Sequence, residues 1–479
     1  MAETHLGVVV FLGDRAYKFK KALHLPFVDY STVEARRAAC ENEVRLNRRF
    51  APDVYLGVGT LGDPDPARRD EPVVVMRRLP VDRRLSKLVV DGEPVDAHLR
   101  HLAHQLAGYH AGAPITSIAL DAATAASTLR RWETNAAEMQ PFAGTFLDVQ
   151  RLATILDDAR LYIAGRKQLF DDRIAAKRAR DGHGDLLADD IFCLDDGPRI
   201  LDCLEFDERL RAGDVLADVA FLAMDLERLG RPDLGWSLLE LHRELLDDHW
   251  PDSLAHHQIA YRAQVRAKVA CVRAAQGDED AAVAAMKYLE LCAAHLATGR
   301  VRLVLVGGLP GSGKSTLSGN LGGEVGAFVL HSDEVRKEVA GLASGAHAPA
   351  PLDQGIYTPA MTDATYEALL TRAEAMLARG ETVVLDASWA EPRWRARAAA
   401  IAERTFSEFA ELRCTVPQHV AVDRIARRQA AGTDASDADA TIARARAARE
   451  APWPSATDID TTGTADDTLA AALSALDLR

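Results

Sequence analysis

One short run limits the fold more than any other. It is Gly308-Leu309-Pro310-Gly311-Ser312-Gly313-Lys314-Ser315, and it follows the apolar stretch Val301 to Val306. The pattern G-x-x-x-x-G-K-S works as a loop between a buried strand and a helix. Its glycines let backbone N–H groups converge on phosphate oxygens, and the helix adds its positive end. Lys314 can reach the β- and γ-phosphates of a nucleoside triphosphate, and Ser315 can ligate Mg²⁺. A helix is expected from Ser315 or Thr316. Gly308, Gly311, Ser312, Gly313, Lys314, Ser315 and Thr316 are therefore the candidate nucleotide contacts, with ATP and Mg²⁺ as the expected cofactors.

The texture around this loop extends the inference. The later apolar runs ETVVLDAS and SEFAELRCTV alternate with helical segments, as in a parallel sheet covered by helices. The change of texture at Thr298-Gly299-Arg300 marks a boundary, and 479 residues are too many for one ordinary core. Upstream, VVVFL, a turn at Gly13-Asp14 and AYKFK read as short strands. A helix is expected from about Ser31 to Arg49, with Ser31 as N-cap and Glu34 closing a capping box. VYLGVGTL and PVVVMRRL read as further strands. Helical patterning dominates after Val81, broken at HGDLLADDIFCL and PRILDCLEF, and again from Val215 to about Ala297. The organisation read from the sequence is an α+β domain over 1–299, with a small lobe over about 1–80 and a large lobe over about 81–299. An α/β domain with a mainly parallel sheet follows over 300–479.

Bulk properties exclude several classes. No apolar stretch approaches the length that crosses a bilayer, and MAETHLGVVV lacks the basic start and long apolar centre of a signal peptide, so a cytoplasmic location is expected with no membrane partner. Six cysteines without a C-x-x-C pair give neither a metal cage nor a disulfide framework, and buried reduced thiols are expected. The net charge is −14 at pH 7, and both halves are acidic, which argues against a nucleic-acid partner. In the basic helix Tyr261 to Lys268, Arg262 and Arg266 stand one turn apart; a solvated face or intrachain salt bridges are the expected role. Oligomeric state leaves no trace in the sequence.

Carboxylates supply the chemistry. Asp333, in His331-Ser332-Asp333-Glu334-Val335-Arg336, follows an apolar strand and could accept the proton of an attacking hydroxyl; Arg336 could orient the acceptor or meet the γ-phosphate. Asp333 could also cap the helix that follows. Asp386 ends the strand Thr382 to Leu385, where a carboxylate would hold Mg²⁺ through water; a structural role is the alternative. Arg424, Arg427 and Arg428 lie on a helical stretch and could close over the transferring phosphoryl group, with Arg428 the residue chosen, or could form a solvated face. Together the phosphate loop, the Asp333-x-x-Arg336 pair and the DASDAD segment resemble the small-molecule P-loop kinases, a group that includes gluconate kinase, chloramphenicol phosphotransferase and zeta toxin. That resemblance implies Asp333 as base, an arginine lid, and backbone of the run ATDIDTTG near the adenine.

The first domain carries its own constellation. His183-Gly184-Asp185-Leu186-Leu187-Ala188-Asp189-Asp190 places carboxylates five residues apart, and Arg199-Ile200-Leu201-Asp202 is an apolar strand ending in another. Three acids converging on one cleft repel one another unless cations neutralise them, the logic of a metal-assisted phosphoryl-transfer site. Lys18 could pair with phosphate, held by Glu43, with Lys20 a possible substitute. This pattern, with Gly213-Asp214 through Asp218, resembles the aminoglycoside phosphotransferases, which share the protein-kinase-like fold. The resemblance implies Asp185 as base and Asp190 and Asp202 as Mg²⁺ ligands. Asp190 stands where that family has Asn, and Gly13 stands almost alone where a glycine-rich lid would lie. The whole chain resembles bacterial two-domain proteins in which such a kinase is fused to a P-loop kinase.

The function these readings predict is an ATP-dependent phosphotransferase acting on a hydroxyl of a small molecule, sugar or aminoglycoside-like. Two alternatives are a domain that senses nucleotide and regulates the other, and a 5′-hydroxyl polynucleotide kinase.

Overall fold

The computed structural model describes residues 2–3, 6–25, 28–62, 70–343, 354–431 and 451–478. By backbone packing the chain separates into two compact units. The first comprises Met1–Ala159, Phe170–Trp250 and Leu254–Thr298, and the second comprises Arg160–Leu169, Pro251–Ser253 and Gly299–Arg479.

The first unit opens with an antiparallel five-stranded sheet in the order Ala2–Glu3, Gly7–Leu12, Arg15–Lys20, Glu71–Arg77, Tyr55–Leu61. Successive side chains on a strand alternate faces, so Ala16, Lys18 and Lys20 share one. Ala16 packs there with Cys40 and Val44 of the helix Val33–Asn47 and with Tyr55, Val74 and Met76 of the sheet. That helix begins two residues later than Ser31. The Ser31 N–H is taken by Asp29 Oδ1 at 2.9 Å, and Thr32 becomes the cap, its Oγ1 accepting from Ala35 N at 3.1 Å. The expected Ser31–Glu34 capping box is therefore not formed, because the turn at Asp29 carries the chain one residue further before the helix can start.

The remainder of this unit is helical, with long helices Asp96–Gly112, Ala125–Met139, Val215–Arg228, Pro232–Leu246, Asp252–Ala275 and Glu279–Thr298. Two small antiparallel pairs interrupt it where β-type runs return. Ile191–Leu194 pairs with Gly197–Ile200, and Ala179–Asp181 with Ala212–Asp214. Between them they carry the loop that contains Asp185 and Asp190.

In the second unit five strands lie in the order Phe328–His331, Val383–Asp386, Arg302–Gly307, Glu408–Thr415, Thr457–Asp460, and every pairing is parallel. Leu303, Leu305, Val383 and Leu385 are fully buried, as strands covered on both faces require. The helices Lys314–Val325 and Ala465–Ala475 supply Leu317, Leu321 and Ala472 to the core against this sheet, joined by Leu476 at the second helix's C-cap. Thr464 caps the second of them in a reciprocal capping box with Asp467. Among the described residues no helix is long and apolar enough to cross a membrane.

All six cysteines are buried and unpaired. Burial pushes the thiols of Cys40, Cys193 and Cys271 up to about 11 and that of Cys414 to about 12.

The helix Lys314–Val325 holds three internal glycines in different surroundings. A Cβ on Gly322 would lie 2.4 Å from Val329 Cγ2 and 3.1 Å from Ala327 O, whereas Gly319 and Gly323 have nothing within 4 Å. Alanine in an open helix position is worth about 1 kcal/mol over glycine, while overpacking costs about 1–3 kcal/mol. Gly319→Ala and Gly323→Ala should therefore raise the melting temperature of this unit and Gly322→Ala should lower it, as read by thermal unfolding of the three variants.

Candidate active sites

In the second unit the strand Arg302–Gly307 feeds the phosphate loop. Gly308, Gly311 and Gly313 have φ of 134°, 83° and 89°, conformations open mainly to glycine. A Cβ on Gly308 would lie 2.6 Å from Cys414 O and one on Gly311 2.6 Å from Ala421 O, so the loop has no room for side chains at either place. Lys314 begins the helix, and its Nζ donates to Leu309 O at 3.3 Å. The Ser312 hydroxyl is buried without a hydrogen-bond partner. An orphaned donor inside a loop of bare backbone fits the phosphates of a nucleotide.

The sheet register sets the acids beside this loop. Asp386 pairs across the sheet with Val306 on one side and His331 on the other. Its buried carboxylate lies 2.9 Å from His331 Nδ1 and within hydrogen-bonding reach of Ser315. Burial works to raise its pKa, but His331, Lys314 and Ser315 prevail and hold it below the usual carboxylate range. A hydroxyl and an ionised carboxylate at this spot are the donor set that Mg²⁺ takes beside phosphate oxygens. His331 was not singled out from the sequence; only the parallel register brings it onto Asp386.

Asp333 sits in the first turn of the helix Ser332–Val339, two residues past His331. It is half-buried and makes no ion pair among the described residues. It does not cap that helix. The N-cap position is His331, which makes no side-chain cap bond. Arg336 follows three residues later on the same helix. Its guanidinium is buried, donating through Nη1 to Ile356 O and Thr362 Oγ1, both at 3.2 Å, and lies over the Tyr357 ring.

On the other flank a cavity of about 380 Å³ opens against the loop, lined among others by Gly313, Thr316, Asn320, Arg424 and Thr461. The volume falls within the range of small-molecule sites. Arg424 Nη2 donates to Thr461 O at 2.6 Å, and Thr461 Oγ1 donates to Ser312 O at 2.7 Å. The run ATDIDTTG thus supplies one wall, and Arg427 lines it as well. Arg428 lies in the helix Gln418–Ala431, but its side chain and the DASDAD segment fall outside the described residues.

In the first unit the strand face carrying Lys18 and Lys20 meets Glu43, which is wholly buried. Lys18 Nζ lies 2.8 Å from Glu43 Oε1 and also pairs with Asp202; Lys20 Nζ lies 2.5 Å from Glu43 Oε2 and pairs with Glu205. The two lysines are therefore joint partners of one carboxylate rather than substitutes. Asp202 adopts φ 65°, a strained left-handed conformation for a side chain other than glycine. Its N–H donates to the Tyr55 hydroxyl at 3.2 Å.

Asp185, Asp190 and Asp202 are brought together. Burial, then the charge of Asp202, raises the pKa of Asp185, which Arg266 Nη1 at 3.8 Å partly offsets. Burial followed by repulsion from Asp202 and Asp185 raises Asp190 well above the usual range. Lys18 first of all holds Asp202 below it. Among the described residues no group of three or more His, Cys, Asp or Glu forms a closed metal cage. One or two carboxylates beside phosphate oxygens, the pattern Mg²⁺ uses in kinase sites, needs no such cage.

Asp218 organises the loop from behind. Its Oδ2 accepts from His183 N and its Oδ1 from Gly184 N, both at 2.8 Å, and His110 Nε2 stands 3.1 Å from Oδ2. A glycine is required at 184, where φ is 88° and a Cβ would meet Arg211 Cβ at 2.5 Å. Of the two arginines of the helix Asp252–Ala275 expected to form a solvated face or intrachain salt bridges, neither lies on a solvated face. Arg262 is buried, and Arg266 makes the intrachain ion pair, with Asp185.

Fold and site together define the class of the second unit: a parallel α/β sheet with a phosphate-binding loop between its central strand and a helix, the arrangement of a P-loop nucleotide-binding domain. Residues 303–452 match the family model described as an AAA domain. The chain is 43% identical over 464 residues to the uncharacterized protein Rv2004c of Mycobacterium tuberculosis (strain ATCC 25618 / H37Rv), a match that covers 96% of this chain and 92% of the relative. It belongs to the same family as that protein. Among solved structures it is similar to a sugar kinase from Janibacter sp. HTCC2649, at 19% identity over 37% of this chain and 95% of that one with a TM-score of 0.29. It is also similar to APH(2")-IIia, whose structure is a GDP and kanamycin complex, at 16% identity over 61% of this chain and 92% of that one with a TM-score of 0.39.

The hydrogen bonds to Asp218 outweigh its burial and hold its pKa far below the ordinary value. Its contribution to stability is therefore present above the unfolded value of about 3.9 and is lost as pH falls below that. Asp218→Asn keeps the volume but places an amide where backbone donors converge, at a cost of about 3 kcal/mol at pH 7. Urea midpoints measured between pH 7 and pH 3 should show the variant less stable at pH 7 and with a shallower acid decline than the parent.

Proposed function

We propose that this chain transfers the γ-phosphoryl group of ATP to a hydroxyl of a small polar molecule. It would do so as a cytoplasmic enzyme of two phosphotransferase domains, residues 1–299 and 300–479. The observation that supports the reading is Asp386, which lies beside Lys314 and Ser315 of the phosphate loop and is bonded to His331, with Asp333 two residues further along the chain. Asp333 is half-buried and makes no ion pair with a described residue, and the histidine two residues before it is bonded to the buried acid.

In the second domain the loop N–H groups and Lys314 grip the phosphates. Asp333 takes the acceptor's hydroxyl proton while the acceptor oxygen bonds to the γ-phosphorus. The bond from that phosphorus to the β,γ-bridging oxygen breaks and ADP leaves. Ser315 and Asp386 would hold Mg²⁺, which shields the phosphate charge. Arg424, with Arg427 and Arg428 on the same helix, would close the nucleotide side. Arg336 keeps the segment at Ile356 and Thr362 in place next to the acceptor side. In the first domain Lys18, fixed by Glu43, would pair with phosphate, Asp185 would be the base, and Asp190 and Asp202 would carry the metal. Net charge supports a small acceptor over a polyanion.

A second reading, that the first domain senses nucleotide and regulates the second, is favoured by one feature. The hairpin over Lys18 turns in two residues at Gly13-Asp14, with a single glycine.

The test uses γ-labelled ATP, Mg²⁺ and a panel of small polyols, sugar acids and aminoglycosides. Asp333→Asn should lower transfer by about 10²–10⁴-fold with ATP affinity nearly unchanged, and Lys314→Ala should weaken ATP binding as well. Unchanged transfer in Asp333→Asn removes it as the base. Transfer lost in Lys314→Ala but kept in Asp185→Ala would make the first domain the regulator; the opposite pattern would place the chemistry there.

A further inference from the structure

Behind the Asp185 loop lies a small recess of about 20 Å³, room for a single small group, bordered by Gly182, Gly213, Arg131, Arg180, Tyr261 and Arg262. Its charge is unusual. Arg262 is only 7% exposed, donates through Nε to Ala217 O at 2.8 Å, and lies over the rings of Phe221 and Tyr261 at 4.7 and 5.6 Å. Arg131 also lies over Tyr261 and donates to Ala122 O at 2.7 Å, and its Nε is buried without a partner. Arg180 donates to the Lys177 and Ala113 carbonyls. None of these three makes an ion pair with a described residue.

The acids in the recess are already spent. Both Asp214 oxygens accept from Arg173, at 2.7 and 2.8 Å, and Asp218 holds His110 and the loop N–H groups. Burying a guanidinium without a paired counter-charge is unfavourable, and an incoming anion would relieve it. One turn along the same helix, roughly 6 Å away, Arg266 Nη1 stands 3.8 Å from Asp185 Oδ1. Arg262 thus borders the recess while Arg266, one turn on, faces the proposed base.

We infer that this recess is an anion subsite, and that the hydroxyl acceptor of the first domain carries a carboxylate or a phosphate monoester that seats among Arg131, Arg180 and Arg262. The assignment as an acceptor subsite rests on the reading of Asp185 as the base. A polycationic acceptor such as an aminoglycoside meets the wrong charge here.

The experiment uses the full chain carrying Lys314→Ala, which disables the phosphate loop of the second domain. Binding of labelled inorganic phosphate is measured by equilibrium dialysis, with Arg131→Gln and Arg131→Lys added. Transfer from ATP is then measured to a neutral sugar, its sugar acid, its phosphate monoester and kanamycin. Arg131→Gln should weaken phosphate binding at least tenfold and Arg131→Lys less. One of the anionic acceptors should exceed the neutral sugar at least tenfold in kcat/KM, with the preference lost in Arg131→Gln through KM. The better of the two arms identifies carboxylate or phosphate as the group. Equal phosphate binding in Arg131→Gln, or preference for the neutral sugar or kanamycin, overturns the inference. Phosphate bound through Arg131 with no transfer to any acceptor would leave the anion subsite standing and overturn its role in acceptor binding, together with the reading of Asp185.

Discussion

Glu43 has no contact with water and holds its charge only because two ammonium groups reach it from the same face of one strand. Much of the first unit is arranged around that requirement. Strand alternation must bring Lys18 and Lys20 to the same side, the helix Val33–Asn47 must present Glu43 between them, and each lysine must find a second carboxylate, Asp202 or Glu205. An unpaired buried charge would cost several kcal/mol, so the ion pairs fix helix, sheet and the Asp202 segment as one piece. The left-handed backbone at Asp202 is held by the same network and by Tyr55.

The second unit meets the same constraint with another solution. Asp386 is buried at a strand end and is kept ionised by a histidine on the neighbouring strand and by the lysine and serine of the phosphate loop. In both units an acid that would be costly in isolation is stabilised by groups suited to phosphate chemistry, so stability and the proposed catalysis draw on the same contacts.

Much of this was legible in the sequence, for identifiable reasons. The phosphate loop is local: its glycines, lysine and serine act within eight residues, and the apolar run before it fixes the strand. The alternation Ala16-x-Lys18-x-Lys20 likewise follows from strand geometry. Contacts between distant segments were not legible. His331 meets Asp386 only through parallel register, and Asp218 supports the Asp185 loop at His183 from 35 residues along the chain. Arg262 reads as a surface residue because helical spacing alone does not say which face is covered. The cap at Thr32 was missed because the preceding Asp29 turn decides the competition between neighbouring hydroxyls.

The buried thiols have a practical consequence. With pKa values pushed to about 11 or above, only about one cysteine in ten thousand is a thiolate at pH 7, and alkylating reagents find almost nothing to attack in the closed protein. Two of the six lie directly under the sites. Cys203 follows Asp202 and is tied to Asn47, and the Cys414 carbonyl abuts Gly308 of the phosphate loop. Each becomes labelled only when its surroundings open, so the chain contains native chemical reporters of local opening. A nucleotide that bound at either proposed site would slow labelling at the cysteine beneath it.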